Sequence, residues 1–178
     1  NKNEVFLQSL NKYIDYVYRE LYDSNTGIVY NDVKRNLDWH RLYNYPWVSL
    51  FQLELYLLFK DRNYLKDSFR TMERYYKEGG GEFYGIAIPA IELLKYLKLE
   101  NMKEEAEVFE KDFIKHASHI LGNGLHYPPF EVRYEQSIVA PAVSCLIQAY
   151  DITKDKRFLE EAEKQMEVLE LFNGQQPD

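Results

Sequence analysis

Apolar residues recur at three- and four-residue steps along most of the chain, a spacing typical of amphipathic helices rather than strands. Turn-forming residues and glycines mark where each periodic stretch ends. Seven helices are therefore predicted, at approximately residues 3–22, 46–60, 64–77, 89–99, 103–121, 136–150 and 156–172. Strand signals are confined to a short extended piece at residues 28–30. The pattern predicts an all-α protein.

The predicted helices are of two kinds that alternate along the chain. The second, fourth and sixth are apolar on nearly every side, as expected of buried helices, whereas the others carry one apolar stripe. Each apolar helix contains a proline that we place at its entry, since proline suits the first turn. These prolines are Pro46, Pro89 and Pro141. The result is a repeated unit of long loop, inner helix, tight turn and outer helix, with a period too uneven for a strict repeat array.

The stripes of the outer helices predict which side chains face the core. The third helix presents Leu65, Phe69, Met72 and Tyr76, and the fifth presents Ala106, Phe109, Phe113, Ala117 and Ile120. In the seventh helix the predicted inward residues are Phe158, Ala162, Met166, Leu169 and Phe172. In the first they are Phe6, Leu10, Tyr13, Ile14, Val17 and Leu21. Up-and-down alternation would bring the long loops 23–45, 79–88 and 122–140 to one end of the hairpins.

Composition excludes several classes of protein. The formal charge of −7 argues against a nucleic-acid partner. No apolar run is long enough for a transmembrane helix, so no membrane partner is expected. The single cysteine, Cys145, excludes an intramolecular disulfide and weakly favours the reducing cytoplasm. His116 and His119 share a helix without a third ligand, which predicts surface histidines, no metal and no cofactor.

The helical pattern resembles half of an (α/α)6 toroid of the six-hairpin glycosidase superfamily. The residues that carry the resemblance are the proline-containing helices and the loop sequences NLDWHRLYNYPW, EVRYEQS and NGQQPD. The resemblance implies a partial toroid formed by residues 1–178 as one domain, a fragment of a longer chain. It also implies a carbohydrate substrate held in a funnel that the loops before the inner helices form.

Two carboxylates are predicted to be catalytic. Glycoside hydrolysis uses a pair of carboxyl groups, one protonated and one ionised. Asp38 lies beside Trp39, which could desolvate it, and Glu135 precedes a helix start, where the dipole favours the ionised form. The remaining loop residues predicted to bind substrate are aromatic or charged. They are Trp39, His40, Trp47, Tyr84, His126, Arg133 and Tyr134.

Two other functions stay open at this point. A polysaccharide lyase or sugar epimerase of the same fold would move a ring proton with Tyr134, His40 or His126. A helical-repeat scaffold would instead bind a protein on its concave face, although the acidic and aromatic loops favour an enzyme. Half a ring would expose the apolar edges of its inner helices. The predicted partner is therefore the remainder of the toroid or a second copy of the chain, and the isolated piece is expected to self-associate and to be inactive.

Overall fold

The fold is all-α, as predicted. A computed structural model describes residues 2–38, 41–131 and 136–171. Its helices are α1 (Lys2–Tyr16), α2 (Asn44–Phe59), α3 (Arg62–Lys77), α4 (Ala90–Leu99), α5 (Lys103–Asn123), α6 (Gln136–Thr153) and α7 (Lys156–Glu170). Helix α1 continues into a wider π-helical turn, Val17–Leu21, and a 3-10 turn spans Gly80–Glu82. The strands β1 (Tyr22–Asp23) and β2 (Ile28–Val29) pair antiparallel, so the predicted extended piece is present but lacks Tyr30.

The helices form three antiparallel hairpins in two layers. Helix α2 packs on α3, α4 on α5, and α6 on α7. Between hairpins, α4 contacts α6 in one layer, while α3 contacts α5 and α5 contacts α7 in the other. The inner layer is therefore α2, α4 and α6, and the outer layer is α3, α5 and α7. Helix α1 adds to the α2–α3 side, where Tyr13 packs its ring edge-on against Phe51.

The three hairpin turns share one backbone device. Each of the three connections between paired helices contains one residue in a left-handed backbone conformation. These residues are Lys60, Asn101 and Lys154. In two of the turns the next residue is an aspartate that caps the following helix. Asp61 accepts from the Asn63 amide, and Asp155 accepts from the Arg157 amide. Such caps satisfy an amide that the helix itself leaves free. The Lys-Asp turn is thus an internal repeat.

The role predicted for the prolines needs correction. Pro46 lies in the first turn of α2, where its missing N–H costs no helical hydrogen bond. Pro89 is the residue that precedes α4. Pro141, however, lies inside α6, which begins five residues earlier at Gln136. The short apolar stretch after Pro141 resembles a helix start, but the preceding residues already satisfy the helical pattern.

The core follows the predicted stripes in the middle of the chain and departs from them at both ends. All five stripe residues of α5 are buried, as are Leu65 and Met72 of α3. In α7, Met166 is exposed, while Gln165 and Val168 are buried in its place. In the first helix and its π-helical turn, Phe6 and Tyr13 are exposed, and of the six predicted positions only Ile14 and Val17 are buried. The predicted inward faces of α1 and α7 are therefore partly wrong.

Glutamines that occupy similar places in the predicted repeat have different roles. In α2, Gln52 is buried and accepts a hydrogen bond of 2.7 Å from the Thr71 hydroxyl, which joins α2 to α3. In α6, the side-chain oxygen of Gln148 accepts from the amides of Ala90 and Ile91 at 2.9 and 3.3 Å. Its nitrogen donates to the carbonyl of Ile88 at 3.1 Å. Gln148 therefore caps α4 from a neighbouring inner helix.

Candidate functional site

Three loops meet at one end of the hairpins. The first ends at Tyr43 before α2, the second contains Phe83 and Tyr84 between α3 and α4, and the third runs from Tyr127 to Glu131 before α6. Side chains from all three touch one another. We call the set Tyr43, Phe83, Tyr84, Tyr127, Phe130 and Glu131 the loop junction. Its existence agrees with the predicted convergence of the loops that precede the inner helices.

Glu131 is the centre of the loop junction. Its two carboxylate oxygens lie 3.0 and 2.9 Å from the Tyr43 hydroxyl, which donates across 88 positions of sequence. One oxygen also accepts from the backbone amide of Tyr84 at 3.2 Å. Only 6% of the Glu131 surface is exposed. A buried carboxylate is costly unless it is hydrogen-bonded, so these donors define its position.

Aromatic contacts reinforce the loop junction. The ring of Phe83 packs edge-on against Tyr43, with centroids 5.5 Å apart, and also contacts Phe130 at 5.4 Å. The ring of Tyr84 packs edge-on against Tyr127 at 5.6 Å. Edge-to-face pairs at these distances add stabilisation beyond the burial of apolar area. The loop junction is therefore a packed unit with an exposed aromatic rim, since Phe130 is largely exposed.

Burial and the nearby carboxylate act in the same direction on Tyr43. Burial first, and then the hydrogen bond and the charge of Glu131, raise the pKa of the Tyr43 phenol above its usual range. A raised pKa means that the phenol keeps its proton at neutral pH. Tyr43 is thus a hydrogen-bond donor to Glu131 rather than a phenolate base.

His116 lies beneath the loop junction, contrary to the prediction of a surface histidine. It is 1% exposed, and its Nε2 is 2.7 Å from the carbonyl oxygen of Phe83. Because a carbonyl only accepts, Nε2 carries the hydrogen. Burial lowers the pKa of His116 from 6.5 to about 4, so the ring is neutral near neutral pH. His119 is exposed, as predicted, and contacts Asn123.

Asp38, one of the two predicted catalytic carboxylates, is exposed. It lies in a recess of about 250 Å³ that it shares with Asn31, Asp32, Asn36 and Arg41. Its backbone amide donates to the Asn36 side chain at 2.8 Å. Within the described residues, no hydrogen bond or ion pair joins Asp38 to the loop junction.

Trp47 is half exposed, at 49%, near the start of α2. It lines a second recess of about 250 Å³ between α1, β2 and α2, together with the aromatic residues Tyr13, Tyr30 and Phe51. Asn31 and Asn44 supply amide groups to the same recess. An exposed indole beside amides has the chemistry of a surface on which a sugar ring stacks.

Tyr84 and His126 have different surroundings. The Tyr84 side chain is fully buried, and its hydroxyl accepts from Asn123 at 3.3 Å. It therefore supports the loop junction from within, and its predicted contact with a substrate stays a prediction. His126 is exposed in the third loop, and its backbone amide donates to the carbonyl of Asn123.

The other predicted site residues lie outside the described part of the chain. They are Trp39, His40, Arg133, Tyr134 and Glu135. Glu135 does directly precede Gln136, the first residue of α6, as the sequence analysis placed it. Their roles stay predictions.

Across the residues that the structure describes, no group of three or more potential ligands could hold a metal ion. Over the same residues, no helix is both long and apolar enough to cross a membrane.

Sequence reasoning did not single out Tyr43 and Glu131 as a pair. Both belong to loops that were predicted to converge, but the chain has sixteen tyrosines and many acids. No local spacing connects two residues 88 positions apart.

Comparison with solved structures gives one informative likeness. The chain is similar to a polysaccharide lyase, with a TM-score of 0.88 and 40% sequence identity over 96% of the present chain. The chain spans 25% of the length of that protein. No protein family profile matches the sequence. A search of curated proteins found no match either.

Proposed function

We propose that this chain is part of a carbohydrate-active enzyme, and specifically of a polysaccharide lyase. The observation that carries the proposal is the 40% identity to a polysaccharide lyase over 96% of the chain. The gathering of three loops around a buried carboxylate supports it, because catalytic groups are commonly mounted on loops that a rigid scaffold positions. Since the chain spans a quarter of that protein, we assign the activity to a longer protein that contains this sequence.

The proposed substrate is a polysaccharide that contains uronic acid. A lyase breaks the glycosidic bond by elimination: a base removes a carbon-bound proton and the glycosidic oxygen departs with the bonding electrons. A carboxylate next to that carbon makes the proton acidic enough for a side-chain base. The products are one sugar with a new carbon–carbon double bond and one with a free hydroxyl, and no water is consumed.

The described residues support a proton-donating role for Tyr43. Its phenol keeps its proton, because burial and Glu131 raise its pKa, and the loop junction holds its oxygen in place. In the proposed step the O–H turns from Glu131 to the departing oxygen, because the alkoxide that forms there is a stronger base than a carboxylate. For the base we keep the predicted candidates His126, His40 and Tyr134, and for the substrate carboxylate we keep Arg133, whose guanidinium can form two parallel hydrogen bonds. Trp47 is proposed as a stacking platform for a more distant sugar.

The glycoside hydrolase that the sequence analysis favoured stays the second candidate. It would use Asp38 and Glu135 as an acid–base pair. Asp38 is exposed, and within the described residues it makes no hydrogen bond or ion pair with the three loops that meet around Glu131. This observation favours the lyase over the hydrolase.

The experiment that tests the proposal separates elimination from hydrolysis. The longer protein would be incubated with a panel of uronic-acid polysaccharides, and ultraviolet absorbance would be followed together with the release of reducing ends. A lyase produces both signals, because the new double bond is conjugated with the carboxylate. A hydrolase would instead release reducing ends without a rise in absorbance. Its product would also carry oxygen from isotopically labelled water. Binding without either signal would indicate a non-catalytic module.

The longer protein is also proposed to supply the remainder of the ring. Inner helices in the described residues leave apolar side chains in solvent, among them Leu58 and Ile147. A further set of helices, or a second copy of this chain, would cover them.

A further inference from the structure

We propose that Glu131 is a positioning residue of the active site, which fixes the Tyr43 hydroxyl and the three loops in one arrangement. The proposal rests on the lyase function proposed above and extends it to a residue that the sequence analysis did not name. Glu131 contacts no substrate in this assignment. It acts through Tyr43 and through the backbone of Tyr84.

The first argument is geometric. Glu131 is the one residue among those described whose side chain hydrogen-bonds to both other loops of the junction. It reaches the Tyr43 hydroxyl at 2.9 and 3.0 Å and the Tyr84 amide at 3.2 Å. A phenol held by both oxygens of one carboxylate has little freedom to rotate. The loop junction therefore presents Tyr43 in a fixed place.

The second argument is electrostatic. No lysine or arginine in the described residues forms an ion pair with Glu131, and 94% of its surface is buried. Among the described residues, the hydrogen bonds from Tyr43 and Tyr84 are the contacts that stabilise the carboxylate, and a charged acceptor makes them stronger than bonds between neutral groups. Removing either partner would leave a buried polar group unsatisfied. Breaking the Tyr43–Glu131 hydrogen bond therefore has a large free-energy cost.

The third argument is position in the sequence. Glu131 directly precedes residues 132–135, which include Arg133, Tyr134 and Glu135, and α6 begins at Gln136. A residue anchored at 131 and a helix beginning at 136 define the two ends of this segment. Glu131 is thus the described residue that directly precedes the predicted catalytic and binding residues of this segment. Small displacements of such groups can cost about 100-fold in rate.

The matched control is Asp67 in α3. It is also a buried carboxylate bonded to tyrosine hydroxyls, Tyr18 at 3.0 Å and Tyr22 at 3.4 Å. It joins α3 to the end of the first helix and lies outside the loop junction. Asp67→Asn therefore removes a buried carboxylate that is bonded to tyrosine hydroxyls, together with its ion pair to Arg70 at 3.3 Å, without touching the proposed site.

The test compares Glu131→Gln, Asp67→Asn and Tyr43→Phe in the longer protein. If Glu131 positions Tyr43, Glu131→Gln lowers kcat by about 10- to 100-fold with a change in KM of less than about threefold. Asp67→Asn lowers thermal stability but leaves kcat within about twofold of the unchanged protein. In a Tyr43→Phe background, Glu131→Gln costs far less than it does alone, because the group it positions is already gone.

Hydrogen exchange gives a readout that does not need activity. Gln at position 131 would keep an oxygen that accepts from the Tyr84 amide, so the exchange measurement uses Glu131→Leu, which has no acceptor. Glu131→Leu is expected to speed the exchange of the Tyr84 amide by about tenfold or more, whereas Asp67→Asn leaves it unchanged. Should no polysaccharide be cleaved, the proposed function fails and exchange alone decides whether Glu131 holds the junction. Unchanged Tyr84 exchange in Glu131→Leu, or equal kcat losses in Glu131→Gln and Asp67→Asn, would overturn the proposal.

Discussion

The imidazole Nε2 of His116 lies 2.7 Å from the carbonyl oxygen of Phe83, so helix α5 is tied directly to the second loop of the junction. The ring also packs against Tyr76, with centroids 5.8 Å apart. Its other nitrogen, Nδ1, is buried without a hydrogen-bond partner among the described residues. A ring in this position is suited to the neutral state only, because a second N–H would be left unsatisfied.

The first prediction concerns pH and stability. Burial lowers the pKa of His116 from 6.5 to about 4, so the unfolded chain binds this proton more tightly than the folded one. The contribution is fully present above pH 6.5 and is lost progressively as the pH falls towards 4, by about 3 kcal/mol in total. Denaturant unfolding measured across this range would show the decline.

The control for this prediction is His119→Gln, which changes an exposed histidine one turn along the same helix. It should leave the pH dependence of the unfolding free energy almost unaltered. His116→Gln should flatten the curve while lowering stability at neutral pH, because Gln does not refill the ring's buried volume. A curve of the same slope in His116→Gln would contradict the assignment.

The second prediction concerns the three consecutive glycines after α3. A Cβ at Gly80 would lie 2.5 Å from atoms of the buried Tyr75 ring, while one at Gly81 would have its nearest neighbour at 3.8 Å. Neither position has a positive φ, so steric contact alone separates them. Gly80→Ala is expected to lower the free energy of unfolding by about 1–3 kcal/mol, and Gly81→Ala by less than about 0.5 kcal/mol. Thermal or denaturant unfolding of the two variants checks the difference, and equal effects would contradict it.

How much of this architecture follows from the sequence depends on whether the cause is local. The stripes of α3 and α5 and the turns between paired helices follow from a spacing of 3.6 residues and from turn-forming residues. The same spacing also places His116 on the buried face, three residues after Phe113, so its burial could have been predicted. The prediction of a surface position for His116 relied on the residue type, because histidine is more often exposed.

The loop junction could not be predicted in the same way. Its central contact joins Tyr43 to Glu131 through loops whose paths depend on how the hairpins pack. The same is true of Gln148, since the amides that it caps lie 57 and 58 residues away in sequence. The role of Pro141 in α6 was predicted wrongly for another reason. Pro141 lies where α6 already exists, although proline usually marks the first turn.

The third prediction concerns the cap that Gln148 provides. Gln148→Ala removes an acceptor from the amides of Ala90 and Ile91 at the start of α4, which has no side-chain cap of its own. The expected loss of stability is about 1–2 kcal/mol, in the range of helix caps. Gln136→Ala, an exposed glutamine at the start of the same helix, is the control and should cost little. Equal unfolding free energies for the two variants would show that the cap does not contribute.

The last prediction is that the chain by itself self-associates through its inner helices. Ile147 of α6 is 40% exposed and Leu58 of α2 is 56% exposed, and both are apolar side chains on helices of the inner layer. Light scattering at increasing concentration should show a mass above that of one chain, and Ile147→Lys should shift the equilibrium towards the monomer. Val108→Lys tests whether the location matters, since Val108 has almost the same exposure, 42%, but lies on the outer helix α5. Association that is insensitive to Ile147→Lys but lost in Val108→Lys would assign the interface to the outer layer, and a monomer at all concentrations would contradict the prediction altogether.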